Sequence, residues 1–151
     1  MKNFRKKLLG IVFFGLCSFL FAEDDAPYCF TSYKMKAGAI EGFTKYGYVE
    51  VFLKNLDEKK LVYYELILSV CDKNGEDPFT QTDNYFVCTV SLPIEGGETF
   101  GLAVKYETFF ENEVIEEPLY LQSMYIRKAA YEDGRVWQDM GGFYSVSEDL
   151  P

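Results

Sequence analysis

Apolar and polar positions alternate with a period of two along much of the chain. Val49, Val51 and Leu53 alternate with Glu50, Phe52 and Lys54, a pattern that sets one strand face against a core and the other toward water. Asn55-Leu56-Asp57-Glu58-Lys59-Lys60 then reads as a turn. Leu61 to Cys71 is almost continuously apolar and has the length of a buried helix. Its valines, isoleucine and tyrosines, and its abrupt end at Asp72-Lys73-Asn74-Gly75, favour a central strand instead. Asn74-Gly75 is expected to supply the positive φ angles of a tight turn. Tyr85 to Leu92 predicts a further strand, closed by Pro93 and Gly96-Gly97, and Phe100, Leu102, Val104 and Tyr106 alternate through the next. Glu107 to Pro118 reads as an acidic connection. Leu119 to Tyr131 would suit a helix, but Asp133-Gly134 before Arg135-Val136-Trp137 signals a hairpin, so it is read as a strand. With a strand near Tyr28 to Lys36, the pattern predicts an all-β antiparallel sandwich of about seven strands. No internal repeat, low-complexity tract or interdomain linker divides the chain.

The first residues have a different character. Lys2, Arg5, Lys6 and Lys7 precede an uncharged run from Leu8 to Phe21, and Leu20-Phe21-Ala22 then meets Glu23-Asp24-Asp25. This is the form of a secretory signal peptide cleaved after Ala22. The run is shorter than the roughly 20 residues that span a membrane core. A lipid anchor on Cys17 is disfavoured because Leu16, just before it, is too large for the motif. The expectation is therefore residues 1–22 as signal peptide and 23–151 as a single exported domain, periplasmic or at the cell surface, with no transmembrane span after processing. The formal net charge of −9 sharpens on cleavage, since four of fifteen basic residues leave and all twenty-four acidic ones stay, giving −13. That charge argues against nucleic acid and anionic lipid as partners. The acids are scattered, which suits solubility rather than one acidic docking face.

Three cysteines follow the signal segment: Cys29, Cys71 and Cys88. Strand parity puts Cys88 in phase with Phe86, Val90 and Leu92, and Cys29 in phase with Tyr33 and Met35, so both are expected to face the interior. Cys71 runs with Glu65 and Ser69 on the opposite face from Val62, Tyr64, Leu66, Leu68 and Val70. A bridge between Cys29 and Cys88 is the favoured pairing in an oxidising compartment, with three free thiols as the alternative.

Val49-Glu50-Val51-Phe52-Leu53-Lys54-Asn55-Leu56, the strand ending Leu68-Ser69-Val70-Cys71-Asp72, the turn at Asn74-Gly75, and Leu92-Pro93-Ile94-Glu95-Gly96-Gly97-Glu98-Thr99-Phe100 together resemble the FxLYD-type immunoglobulin-like domains of bacterial envelope proteins. The similarity covers roughly residues 48–106. Leu68, Val70 and Cys71 stand where that pattern has Phe, Leu and Tyr, and Asp72 is identical. The resemblance implies a small immunoglobulin-like sandwich outside the cytoplasm and implies no activity, because a fold does not carry a function.

Candidate chemistry is sparse. Asp72, Asn74, Glu76 and Asp77 crowd one turn, but Gly75 and Asp83 fall at the wrong places for a calcium-binding EF-hand loop. Glu116-Glu117 and Glu111/Glu113 are paired carboxylates on a solvated stretch, where their pKa values would stay ordinary and unsuited to catalysis. The chain has no histidine, no Gly-x-Ser-x-Gly elbow, no CxxC and no phosphate-cradling loop, so no catalytic residue, metal ligand or cofactor site is assigned. The reading is a non-catalytic binding or accessory domain of the cell envelope whose partner is a protein or glycan. Trp137, Tyr144 and Tyr48 are its candidate anchors, with core packing as the competing role of each. A structural subunit assembling by edge-strand pairing is the alternative, for which an exposed, uncharged edge would be the discriminator. A hydrolase with two acids ranks third and would need a cleft holding a raised-pKa carboxylate.

Overall fold

A computed structural model describes residues 25–37, 40–42, 47–79, 83–106 and 118–147. The signal segment with Cys17 and the acidic pairs at 111, 113, 116 and 117 lie outside them. Seven strands form: β1 (Tyr28–Ala37), β2 (Gly47–Asn55), β3 (Leu61–Cys71), β4 (Tyr85–Val90), β5 (Thr99–Lys105), β6 (Tyr120–Tyr131) and β7 (Val136–Gln138). They build two antiparallel sheets, ordered β1-β2-β5 and β4-β3-β6-β7. The chain is all-β, a β-sandwich, and among the described residues no α-helix forms. Compared with the constant-type immunoglobulin layout, the fourth strand has moved from the first sheet to the edge of the second.

The core follows from the alternation. Val49, Val51 and Leu53 of β2 face Tyr64, Leu66, Leu68 and Val70 of β3, with Leu121, Met124 and Ile126 of β6 completing the interior. Ser69, Ile67 and Cys71 sit on the other side of β3 and are nevertheless buried. Ile67 lies between Val87 and Tyr125 in the sheet, and the hydroxyls of Tyr85 and Tyr125 approach to 3.5 Å across it. The outer face of the four-stranded sheet therefore carries an apolar layer of its own. Cys71, on this face as parity predicts, has its Sγ 3.8 Å from the Tyr120 carbonyl.

Bulges change what parity alone predicts. The register of β1 against β2 slips between Phe30 and Ser32, and a bulge reverses the faces of all residues beyond it. Tyr28 and Phe30 consequently join Tyr33 and Met35 against the core, while Cys29 lies opposite Lys54 on the outer face. Cys88 does pack inward, on the other sheet, and burial raises its thiol pKa. The expected Cys29–Cys88 bridge is thus corrected: the two thiols belong to different sheets and are not joined, and Cys29 and Cys71 lie outside the space between the sheets. Further register shifts fall at Val62 in β3, where Leu61 rather than Val62 joins the core, and at Gln122 and Arg127 in β6. Beside Arg127, the Ile126 N–H donates to the Tyr28 hydroxyl at 3.0 Å, tying the two sheets together through a buried bond.

Turn chemistry closes the elements. The Asp72 carboxylate accepts the N–H groups of Asn74 and Glu76 at 2.7 and 2.9 Å, and these bonds hold its pKa below the usual range. It is a cap for its own turn. Only Gly75 takes positive φ there, at 80°, so Asn74 keeps an ordinary conformation and the turn is not the two-residue hairpin type expected of Asn-Gly. Asp133-Gly134 does make the hairpin between β6 and β7, with the Gly134 N–H on the Tyr131 carbonyl.

Candidate functional site

The three candidate aromatics occupy two places. Tyr48 lies on the outer face of β2, between Lys36 and Lys105, and is half-buried. Trp137 and Tyr144 meet at a centroid distance of 5.7 Å, and Trp137 also stacks edge-on against Tyr28 at 5.5 Å. Both pack against the core, so much of their surface seals the sandwich end rather than facing a partner.

Trp137 also lines a shallow cleft of about 570 Å³ with Pro27, Leu56, Asp57, Tyr131 and Arg135. Its one guanidinium is already committed. Arg135 donates two bonds to Asp57 at 3.0 Å and one to Asp133 at 2.8 Å, and its Cζ lies 5.0 Å from the Tyr131 ring centre. Such a doubly paired cation offers little to an anionic ligand. Burial pushes the Tyr131 phenol up to about 12, while Arg135 holds both carboxyls below the usual range. The cleft is a strap between the β2–β3 turn and the β6–β7 hairpin.

The surface most unlike a simple sealed sandwich lies beside the outer face of the four-stranded sheet. After β7 the chain leaves the sheet at Asp139 and returns only at Val146, which pairs with Met124. Asp139 directs the excursion: its Oδ1 accepts the N–H groups of Gly141 and Phe143 at 3.2 and 3.0 Å, and its Oδ2 accepts that of Tyr144 at 3.0 Å. The carboxylate is 3% exposed and so satisfies three backbone donors inside the protein. Gly142, at φ 66°, lies against the Tyr125 ring, where an added Cβ would come within 3.2 Å. The turn is thereby seated on the sheet. It leaves Met140 72% and Phe143 89% exposed, two large apolar side chains on a braced backbone.

Polar contacts order the face next to this turn. Arg127 meets Glu65 at 2.8 Å, the Tyr63 hydroxyl donates to Glu65 at 2.7 Å, and Ser69 and Ser123 share a bond at 2.7 Å. Tyr63 and Arg127 together keep Glu65 below its ordinary range. Burial, aided by the Tyr85 hydroxyl, pushes Tyr125 up to about 12. Among the described residues no group of three potential ligands is placed to hold a metal ion, and no helix is long and apolar enough to cross a membrane.

These charges predict acid sensitivity. A carboxyl with a depressed folded-state pKa stabilises the fold fully above its unfolded pKa, near 4, and that contribution disappears as pH falls through the lower folded value. Asp57, Asp72 and Asp133, with Glu65, all lie on this side. Thermal melts should hold steady from about pH 7 to 5 and fall below about pH 4. Arg135→Met should flatten the acid limb, because Asp57 and Asp133 then lose their shared cation.

Sequence reasoning passed over Met140, Phe143 and Asp139. The available signal was Asp139-Met140-Gly141-Gly142-Phe143, two large apolar residues around a glycine pair after a strand. Compared with models of protein families, with characterised proteins and with solved structures, the chain matches none.

Proposed function

We propose that this chain is an exported, non-catalytic binding module of the bacterial cell envelope and that it grips a protein partner through the 139–144 turn. The observation that carries the reading is the exposure of Phe143 and Met140 on a backbone braced by a buried Asp139. Large apolar groups held in one conformation bind with little ordering cost. Met and Phe are favoured at protein interfaces. Their lack of hydroxyl or amide groups also makes a protein a better fit than a glycan. The cationic start and apolar run before Ala22 support export, and the resemblance over residues 48–106 supports an envelope setting.

Mature protein beginning at Glu23 should retain a specific envelope protein after crosslinking in whole cells. Phe143→Asp should weaken that complex by about 30-fold, the effect of losing one interface hot spot. Its melting temperature should stay close to that of the parent, since the side chain is already solvated. Equal binding by parent and Phe143→Asp would reject the turn as the site. Turnover of peptide, ester or glycoside substrates that vanished on neutralising one acid, with folding intact, would reject a non-catalytic role. An exported form beginning at Cys17 would replace cleavage after Ala22 with lipidation.

A further inference from the structure

β4, Tyr85-Phe86-Val87-Cys88-Thr89-Val90, is an edge strand without a charge. The uncharged stretch around it runs from Asn84 to Ile94, between Asp83 and Glu95, in a chain of net charge −9. The other edges carry the usual safeguards against pairing with another chain. β1 has Lys34, Lys36 and a bulge, β5 has Gly101 and Lys105, and β7 is three residues long.

The open hydrogen-bonding groups of β4 can be assigned. The Val70 N–H donates to the Asn84 carbonyl at 3.3 Å, and β4 runs against β3 without a register shift. Antiparallel pairs alternate between bonded and non-bonded positions. Residues 86, 88 and 90 therefore bond to β3, while Tyr85, Val87 and Thr89 turn their backbone N–H and C=O to the open side. Among the described residues no strand lies there. The same three residues present their side chains on the outer face, Tyr85 45% and Val87 38% exposed.

We propose that this edge docks a second copy of the chain, β4 antiparallel to β4 about a two-fold axis at Val87, joining two four-stranded sheets into one. In this register Val87 faces Val87 of the second copy and Tyr85 faces Thr89, so the residues with open backbone groups become the bonded pairs. Phe86 faces Cys88 on the inner side. Asp83 falls opposite Ser91 rather than opposite its own copy, so no like charges meet. The register points to the second copy as occupant: about the Val87 axis the strand is its own complement, and the stretch from Asn84 to Ile94 is uncharged on both sides, so the repulsion between acidic chains is absent where they would meet. An isologous two-fold contact is also the commonest form of assembly.

Sedimentation velocity of the mature protein over about 1 µM to 1 mM should resolve a monomer–dimer equilibrium. Val87→Pro removes only an N–H on the open side, a change edge strands accept. Together with Val87→Lys, which sets two cations face to face, it should weaken dimerisation at least about tenfold. Val87→Cys should form an intermolecular disulfide under mild oxidation at a yield well above that of the parent chain. Phe143→Asp should leave the dimer unchanged, which separates this interface from the partner-binding turn. If Val87→Pro fails to fold, Val87→Lys decides, since it leaves the backbone intact. A parent protein monomeric throughout the range, or a dimer indifferent to both Val87 substitutions, overturns the proposal. So does a β4 edge occupied only by an extended segment of a different protein.

Discussion

Asn55→Ala should lower the unfolding free energy by about 3 kcal/mol, because its fully buried side chain serves several backbone groups at once. Its Nδ2 donates to the carbonyls of Lys59, Ile94 and Glu95 at 2.8, 3.1 and 3.3 Å, and its Oδ1 accepts the Asp57 N–H at 3.1 Å. Its own backbone exchanges bonds with Glu98 and Gly97 at 3.0 Å each. One amide thus fastens the β2–β3 corner to the 94–98 turn, which leads into β5. Alanine would leave carbonyls unsatisfied in a place that water reaches poorly. A loss of about 3 kcal/mol corresponds to a melting temperature lower by roughly 10 °C for a domain of this size. Asn55→Asp should not restore it, since a carboxylate cannot donate to those carbonyls. A melting temperature within about 2 °C of the parent for Asn55→Ala would show that the corner is held by its backbone alone. Gly96 supports the same packing: a Cβ there would approach the Glu58 carbonyl oxygen to 2.5 Å.

The second large effect is expected at Asp139, where stability and binding should fall together. Asp139→Ala abandons the N–H groups of Gly141, Phe143 and Tyr144, at a cost of about 2–3 kcal/mol by the penalty for orphaned donors. Asp139→Asn retains a single acceptor oxygen and sets an amide donor against a backbone donor, so it should recover only part of that loss. Because the turn would no longer hold Phe143, affinity for the partner should drop in both variants even under conditions where the sandwich is fully folded. Phe143→Asp should lose binding with stability unchanged. Chemical denaturation paired with a binding titration on the three proteins distinguishes these patterns. Full affinity in folded Asp139→Ala would mean that the turn needs no bracing.

The contrast between these two residues shows what was legible in the chain. Asn55 stands at the end of a strand with clear alternation, and the two segments that it joins, Val49 to Leu56 and Leu92 to Phe100, run side by side into the β2–β5 ladder of one sheet. Phe143 carried no comparable signal, because an apolar residue in a glycine-containing stretch reads equally well as a buried plug. Trp137 and Tyr144 show the same ambiguity with the opposite outcome, packed against the core beside Tyr28.

By itself the sequence determined the strands, the inward faces of β2 and β5 and the hairpin at Asp133-Gly134, since period-two alternation and turn residues act between near neighbours. The tertiary structure alone decided the fate of the cysteines, because one inserted residue near Thr31 reverses a face without altering composition. It also decided that β4 would be an edge, that Ile67 would be covered by tyrosines from β4 and β6, and that Asp139 would hold Phe143 in the open. Each depends on which strands become neighbours and on backbone groups satisfied across the sandwich, a condition on the whole chain that no short window of residues expresses.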